Sequence, residues 1–135
     1  MSTNQVTVSR LRWEMPADYS HLSGRIETII AADCLFVRRH HRDLLNTIDR
    51  LLVPSDSHRK GDATAPGTVY IIAPARGKTM HEFTDLLNAD NRYQFWQYEQ
   101  FDQLFSEWTA NGGAITAEVP YLIVIRRKGS PSFKL

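Results

Sequence analysis

Asp33 and Phe36 stand three residues apart, just past the apolar run Ile29-Ile30-Ala31-Ala32. A carboxylate can attract and orient an amine or exchange a proton with it, and an aromatic face favours a cation. Acids are also favoured near helix N-termini, and a helix is expected soon after, so Asp33 has a purely structural role open to it. Spacing alone leaves both readings open. The basic run Arg38-Arg39-His40-His41-Arg42 reads as a solvated face, with a patch for an acidic partner as the alternative. Positive charge at a helix N-terminus opposes the macrodipole, so this placement costs some stability.

Other reactive residue types give less. Cys34 has no base near it in sequence and reads as a small buried residue at a strand end. His40 and His41 are adjacent, so on a helix they point in different directions, and no acid or cysteine completes a ligand set; no metal site is indicated. The seven glycines form neither GxGxxG nor GxxxxGK[ST], so no phosphate-cradling loop is visible. "PARGKT" (Pro74 to Thr79) puts a proline and a glycine at a strand end, either as a rigid turn beside a crevice or as an ordinary connection.

The elements that must carry these residues follow from periodicity. Gln5 to Trp13 has β-branched residues in rough alternation and reads as a strand. Arg25 to Ala32 reads as a strand apolar on both sides in its second half, suiting a central place in a parallel sheet. Leu44, Leu45, Ile48, Leu51 and Leu52 share one face of a helix over 38–53, which Pro54 stops. Residues 54–67 read as a flexible polar loop rich in turn formers. Thr68 to Ala75 is a second buried strand, and Met80, Phe83, Leu86 and Leu87 mark a helix with Thr79 placed to cap it. Arg92 to Tyr98 reads as a strand, Phe101 to Trp108 as a third helix, and Val119 to Lys128 as the last strand. This alternation predicts an open α/β sheet with helices on its faces, in which ligands bind beyond the carboxyl ends of the strands. Asp33 and Phe36 fall at such an end.

Length predicts one domain over 1–135. A net charge of +1 gives no field that argues for nucleic acid. One cysteine excludes an internal disulfide, the opening residues lack a secretory pattern, and no apolar run reaches membrane-spanning length. A soluble intracellular protein is expected.

Three stretches in this order carry a resemblance: "LRW" (Leu11 to Trp13), "HLSGRIETIIAADCLF" (His21 to Phe36) and "VYIIAPARGKTMHEF" (Val69 to Phe83). Together they resemble the class I, S-adenosylmethionine-dependent protein-lysine methyltransferases, those acting on calmodulin in particular, from about Val6 to Lys128. The resemblance implies that Asp33 to Phe36 face both cofactor and substrate lysine, with Asp33 and Phe36 as the catalytic pair. It implies that Trp13 lies beside the adenine ring, that Ala32 lets the cofactor approach, and that Arg76 and Thr79 border the site on the substrate side. It further implies S-adenosylmethionine as cofactor, calmodulin or another protein as substrate, and a cytoplasmic and also nuclear location. In the family two strands precede the "LRW" strand, one followed by the glycine-rich cofactor loop and one ending in a ribose-binding acid. The chain is therefore expected to form the C-terminal half of a Rossmann-like class I methyltransferase sheet with flanking helices, its first two strands missing. Its remaining strands would keep the order four, five, seven, six, with the last antiparallel between its neighbours and strand four left as an exposed apolar edge. The reading that competes with an enzyme is a non-catalytic form that binds the partner protein.

Overall fold

In the computed structural model, residues 4–55, 66–74, 78–99 and 120–135 are described. They form four strands, β1 (Thr28–Ala32), β2 (Thr68–Pro74), β3 (Tyr93–Tyr98) and β4 (Pro120–Arg127), and two helices, α1 (His41–Leu51) and α2 (Thr79–Asp90). Three single turns of 3-10 helix, Pro16–Asp18, Ser20–Leu22 and Arg38–His40, complete the regular structure.

The strands are ordered β1-β2-β4-β3. β1 and β2 run parallel, with Ile30 opposite Tyr70 and Ala32 opposite Ile72. β4 is antiparallel to both of its neighbours, with Ile123 opposite Ile71 and Ile125 opposite Phe95. This is the arrangement expected from the resemblance, that of a partial Rossmann-like methyltransferase sheet with its last strand between two earlier ones. The parallel pair is joined through α1, as a crossover requires.

Side chains alternate across each strand, and one set of alternate residues makes the core. Val69, Ile71 and Ala73 of β2 and Ile123 and Ile125 of β4 meet Leu44, Leu45 and Ile48 of α1 and Met80, Phe83 and Leu87 of α2. The helical faces read from periodicity are the faces that are buried. On the opposite sheet face Phe133 of the C-terminal tail packs its ring at 5.9 Å from Tyr70, 6.2 Å from Trp96 and 6.1 Å from Tyr98. The Arg126 guanidinium lies over the same ring and donates to the Pro131 carbonyl, holding the tail down.

Several expectations are corrected. Residues 4–12 form no strand: they take no ladder partner, and a β pattern without one leaves its backbone groups to water. Val6 and Val8 are each 92 % exposed. β1 is shorter than the expected 25–32, because upstream only Ile26 bridges, to Leu52. Among the described residues β1 is an edge strand rather than a central one, and Ile30 on its uncovered face is 74 % exposed. The helix expected over 38–53 opens as a 3-10 turn and becomes α-helical at His41. Thr79 is the first residue of α2 and not its cap; the Lys78 carbonyl accepts the first helical bond, from Glu82 N–H at 2.9 Å. The expected helix over 101–108 and Arg76 lie outside the described residues. No described helix is long and apolar enough to cross a membrane.

Candidate active site

β1 and β2 are parallel, so both deliver their carboxyl ends to one rim of the sheet. Ala32 is the last residue of β1, and Asp33 follows in the left-handed region at φ 50°. Few residues tolerate that region; aspartate and asparagine do so better than most. The Asp33 N–H still donates to the Ile72 carbonyl at 2.8 Å, so the chain pairs with β2 up to the residue at which it turns. The turn leaves Asp33 exposed.

The next residues separate inward and outward. Leu35 is buried in the core and Phe36 is 60 % exposed. The Leu35 carbonyl accepts a hydrogen bond from His41 Nε2 at 2.7 Å. A carbonyl cannot donate, so Nε2 carries the proton. His41 is buried, with its ring edge-on to Phe83 of α2 at 5.4 Å. A histidine at the head of α1 thus ties the strand-tip loop to both helices. This residue was missed in sequence; its one signal was an aromatic, polar residue one turn ahead of the buried face of Leu44 and Leu45. His41→Phe keeps ring volume but removes the donor, and is expected to cost about 1–3 kcal/mol of unfolding free energy in urea. A loss below about 0.5 kcal/mol, the range of an ordinary surface change, would deny the anchor its role.

The capping role for Asp33 is excluded by the same geometry. The 3-10 turn that leads into α1 is preceded by Val37, and α1 itself by His40, and neither terminus carries a side-chain cap. The basic run is mostly engaged in holding the fold. Arg38 pairs with Glu82 of α2 at 2.8 Å, Arg42 with Asp90 at 3.5 Å, and His41 is the loop anchor. Burial pushes the Cys34 thiol up, away from the reactive thiolate.

Trp13 reaches the site region from the N-terminal segment. Its half-buried ring packs on the core and meets His40 edge-on at 6.5 Å, at the head of α1. Arg12 fixes it in place. The Arg12 guanidinium donates to Asp18 twice, at 2.9 and 3.1 Å, and the Arg12 N–H donates to the same carboxylate at 3.0 Å. These side-chain and backbone bonds from Arg12 hold the Asp18 carboxyl at about 2. The clasp is therefore fully present above the ordinary carboxylate range, near pH 4, and is lost as pH falls through about 2. In a Trp96→Phe, Trp108→Phe background, the emission of Trp13 is expected to hold steady down to about pH 4 and change below it. Adding Asp18→Asn should bring the loosened signal to pH 7.

An open cavity of about 630 Å³ runs from Trp13 and Tyr19 along Asp43, Asn46 and Asp49 of α1 towards Arg127. It is not where the chemistry of the strand tip lies, since Ala32, Asp33, Phe36 and Thr79 take no part in its walls. The structure therefore gathers Ala32, Asp33 and Phe36 on the tip of β1, with Thr79 opening the helix that follows β2 on the same rim. Trp13 meets only His40 at the head of α1 among these contacts, and faces a groove of its own.

A family model described as lysine methyltransferase matches residues 1–88, about two thirds of the chain. The chain belongs to the lysine methyltransferase family. The match takes in the Trp13 segment, the strand tip, α1, β2 and all but the end of α2, so the rim described above lies within it.

Proposed function

We propose that this lysine methyltransferase transfers methyl groups from S-adenosylmethionine to a lysine of a protein, with calmodulin the substrate to test first. One observation carries the reading: an exposed carboxylate, Asp33, held in a left-handed turn at the tip of a parallel strand, with an exposed aromatic, Phe36, beside it. The cofactor supplies an electrophilic methyl on a sulfonium. Asp33 draws in the lysine ammonium, accepts its N–H and aligns the amine as the proton departs to solvent; Phe36 offers a π-face that favours the cation on entry. Proximity and orientation do much of the work, because an aligned amine needs only the loss of a proton to become the nucleophile.

On the cofactor side of such a site, Trp13 would offer a ring to the adenine and Ala32 a small side chain beside it. A second reading is a chain that binds the substrate protein without methylating it; the groove along α1 that Trp13 lines apart from the strand tip favours it. Calorimetric titration of S-adenosylmethionine into the chain separates them. Micromolar binding followed by labelling of calmodulin supports transfer. Calmodulin binding with no cofactor heat, in a chain folded by circular dichroism, leaves the binding role, and neither interaction removes both readings.

A further inference from the structure

The strand-tip loop is pinned at one point along its backbone. The Asp33 N–H makes its last bond to β2, and regular structure resumes at the Arg38–His40 turn. Among the described residues, no backbone–backbone bond holds residues 34–36 between them. The buried Leu35 side chain fixes where the loop crosses the core, but not how its peptide planes face. That is set by His41, whose Nε2–H donates to the Leu35 carbonyl at 2.7 Å. The carbonyl belongs to the peptide that joins Leu35 to Phe36, two residues after Asp33. Rotation of that plane would swing the aromatic directly and shift the carboxylate through a short left-handed turn. His41 is itself held, 5 % exposed and edge-on to the fully buried Phe83 of α2. One residue before Phe83, Glu82 pairs with Arg38 at 2.8 Å.

We propose that His41 is a positioning residue for methyl transfer. Through the Leu35 carbonyl it sets Asp33 and Phe36 against the head of α2, where Thr79 stands on the same rim. This rests on the methyl-transfer reading and extends it to a buried residue behind the rim. A buried carbonyl that loses its donor turns towards water where the chain allows it. Here that means rotating the Leu35–Phe36 peptide. A misplacement of about 1 Å at a reacting group costs on the order of 10²-fold in rate. Affinity for a protein substrate is spread over a surface and depends little on one peptide plane. The loss should therefore fall on kcat rather than on KM. Histidine suits the task, because Nε2–H donates in the tautomer fixed by this bond and in the cation alike.

Label transfer from S-adenosylmethionine to calmodulin tests it, at a temperature where circular dichroism shows each chain folded. His41→Phe keeps a ring against Phe83 but has no donor. Its kcat should fall by about 10²-fold, with KM for calmodulin moving less than about threefold. His41→Gln puts an amide nitrogen within reach of the place of Nε2 and should return kcat to within about tenfold of the unaltered chain. His41→Asn carries the same amide one methylene short and should be as slow as His41→Phe; this arm stands even if the phenylalanine chain does not fold. Ile125→Val, in the core opposite Val69 and away from the rim, should lower the unfolding midpoint and leave kcat unchanged. Unaltered turnover in His41→Phe or His41→Asn overturns the inference, as does a loss confined to KM. So does a His41→Gln chain no faster than His41→Asn, or an Ile125→Val chain as slow as either. Failure of these arms in an active protein leaves the methyl-transfer reading standing. An unaltered chain that transfers nothing removes that reading, and the inference with it.

Discussion

Asp33→Asn is expected to lower methyl transfer to a protein lysine by about 10²- to 10⁴-fold, the span of a positioned acid–base group. The unfolding midpoint should not move, for a reason specific to this site. Asp33 sits at φ 50°, and asparagine accepts the left-handed region about as readily as aspartate. The substitution removes the charge and keeps the turn. Asp33→Ala would instead add a backbone penalty of about 1–2 kcal/mol, which confuses loss of the carboxylate with distortion of the loop. Label transfer from S-adenosylmethionine to calmodulin is the measurement. Unchanged turnover in Asp33→Asn would sink the role given to the carboxylate. Loss in the alanine variant alone would mean that the turn matters and the charge does not.

The second large effect lies far from the strand tip. Arg127, the last residue of β4, finishes helix α1. Its guanidinium donates to the backbone carbonyls of Asp49 at 2.6 Å, Leu52 at 2.9 Å and Val53 at 3.1 Å, and to the Asp49 carboxylate at 2.6 Å. Asp49 also accepts from the Tyr93 hydroxyl and pairs with Arg92 at 2.7 Å. A helix end leaves its last carbonyls without intrahelical partners, and a cation there is favoured by the macrodipole. Arg127→Met removes these four bonds, and a longer fifth to the Tyr93 hydroxyl, and leaves a partly buried carboxylate with less compensation. A loss of about 2–4 kcal/mol in urea unfolding is expected. Arg127→Lys should recover only part of it, since an ammonium cannot reach all these oxygens in the fork geometry of a guanidinium.

Acid should act through the same cluster. Burial alone would raise the Asp49 carboxyl, but bonds from Tyr93 and Arg127 and the charges of Arg127 and Arg92 bring it below the usual range. Its contribution is present above the unfolded value near 4 and is lost as pH falls through the lower folded value. Tyr93 behaves in the opposite sense: burial and its bond to Asp49 raise the phenol, so that contribution is complete below pH 10 and fades in stronger base.

These residues also mark the limits of reading the chain as a sequence. α1 and α2 were legible because each carries a stripe of apolar residues at helical spacing, and that stripe is what the sheet covers. β2 and β4 were legible as β-branched runs, buried or half-buried on both faces. The strand expected over 5–13 failed because alternation states a preference, while a strand exists only with a ladder partner. Capping by Asp33 and chemistry by Asp33 had the same local signature; the helix starts, at Val37 and His40, take the cap position away from Asp33 and say nothing of its chemistry. His41 and Arg127 were illegible for another reason. Each donates to backbone carbonyls, which every residue has, so nothing in the side-chain pattern names the acceptor. For Arg127 those acceptors also lie more than seventy residues away.

The position of β4 has a consequence for how the chain is made. β4 is the last strand of the described chain in sequence, yet it lies between β2 and β3, which pair with nothing else on those sides. On the ribosome, β1, α1, β2, α2 and β3 are all synthesised before residues 120–127. Until then β2 lacks one neighbour, β3 lacks the only one it has among the described residues, and α1 lacks the guanidinium that completes its end. Folding is accordingly a late event in synthesis, governed by long-range pairing rather than by growth from the N-terminus. A stop codon or pause just upstream of residue 120 would leave a nascent chain with exposed strand edges, dependent on chaperones until the final strand is delivered.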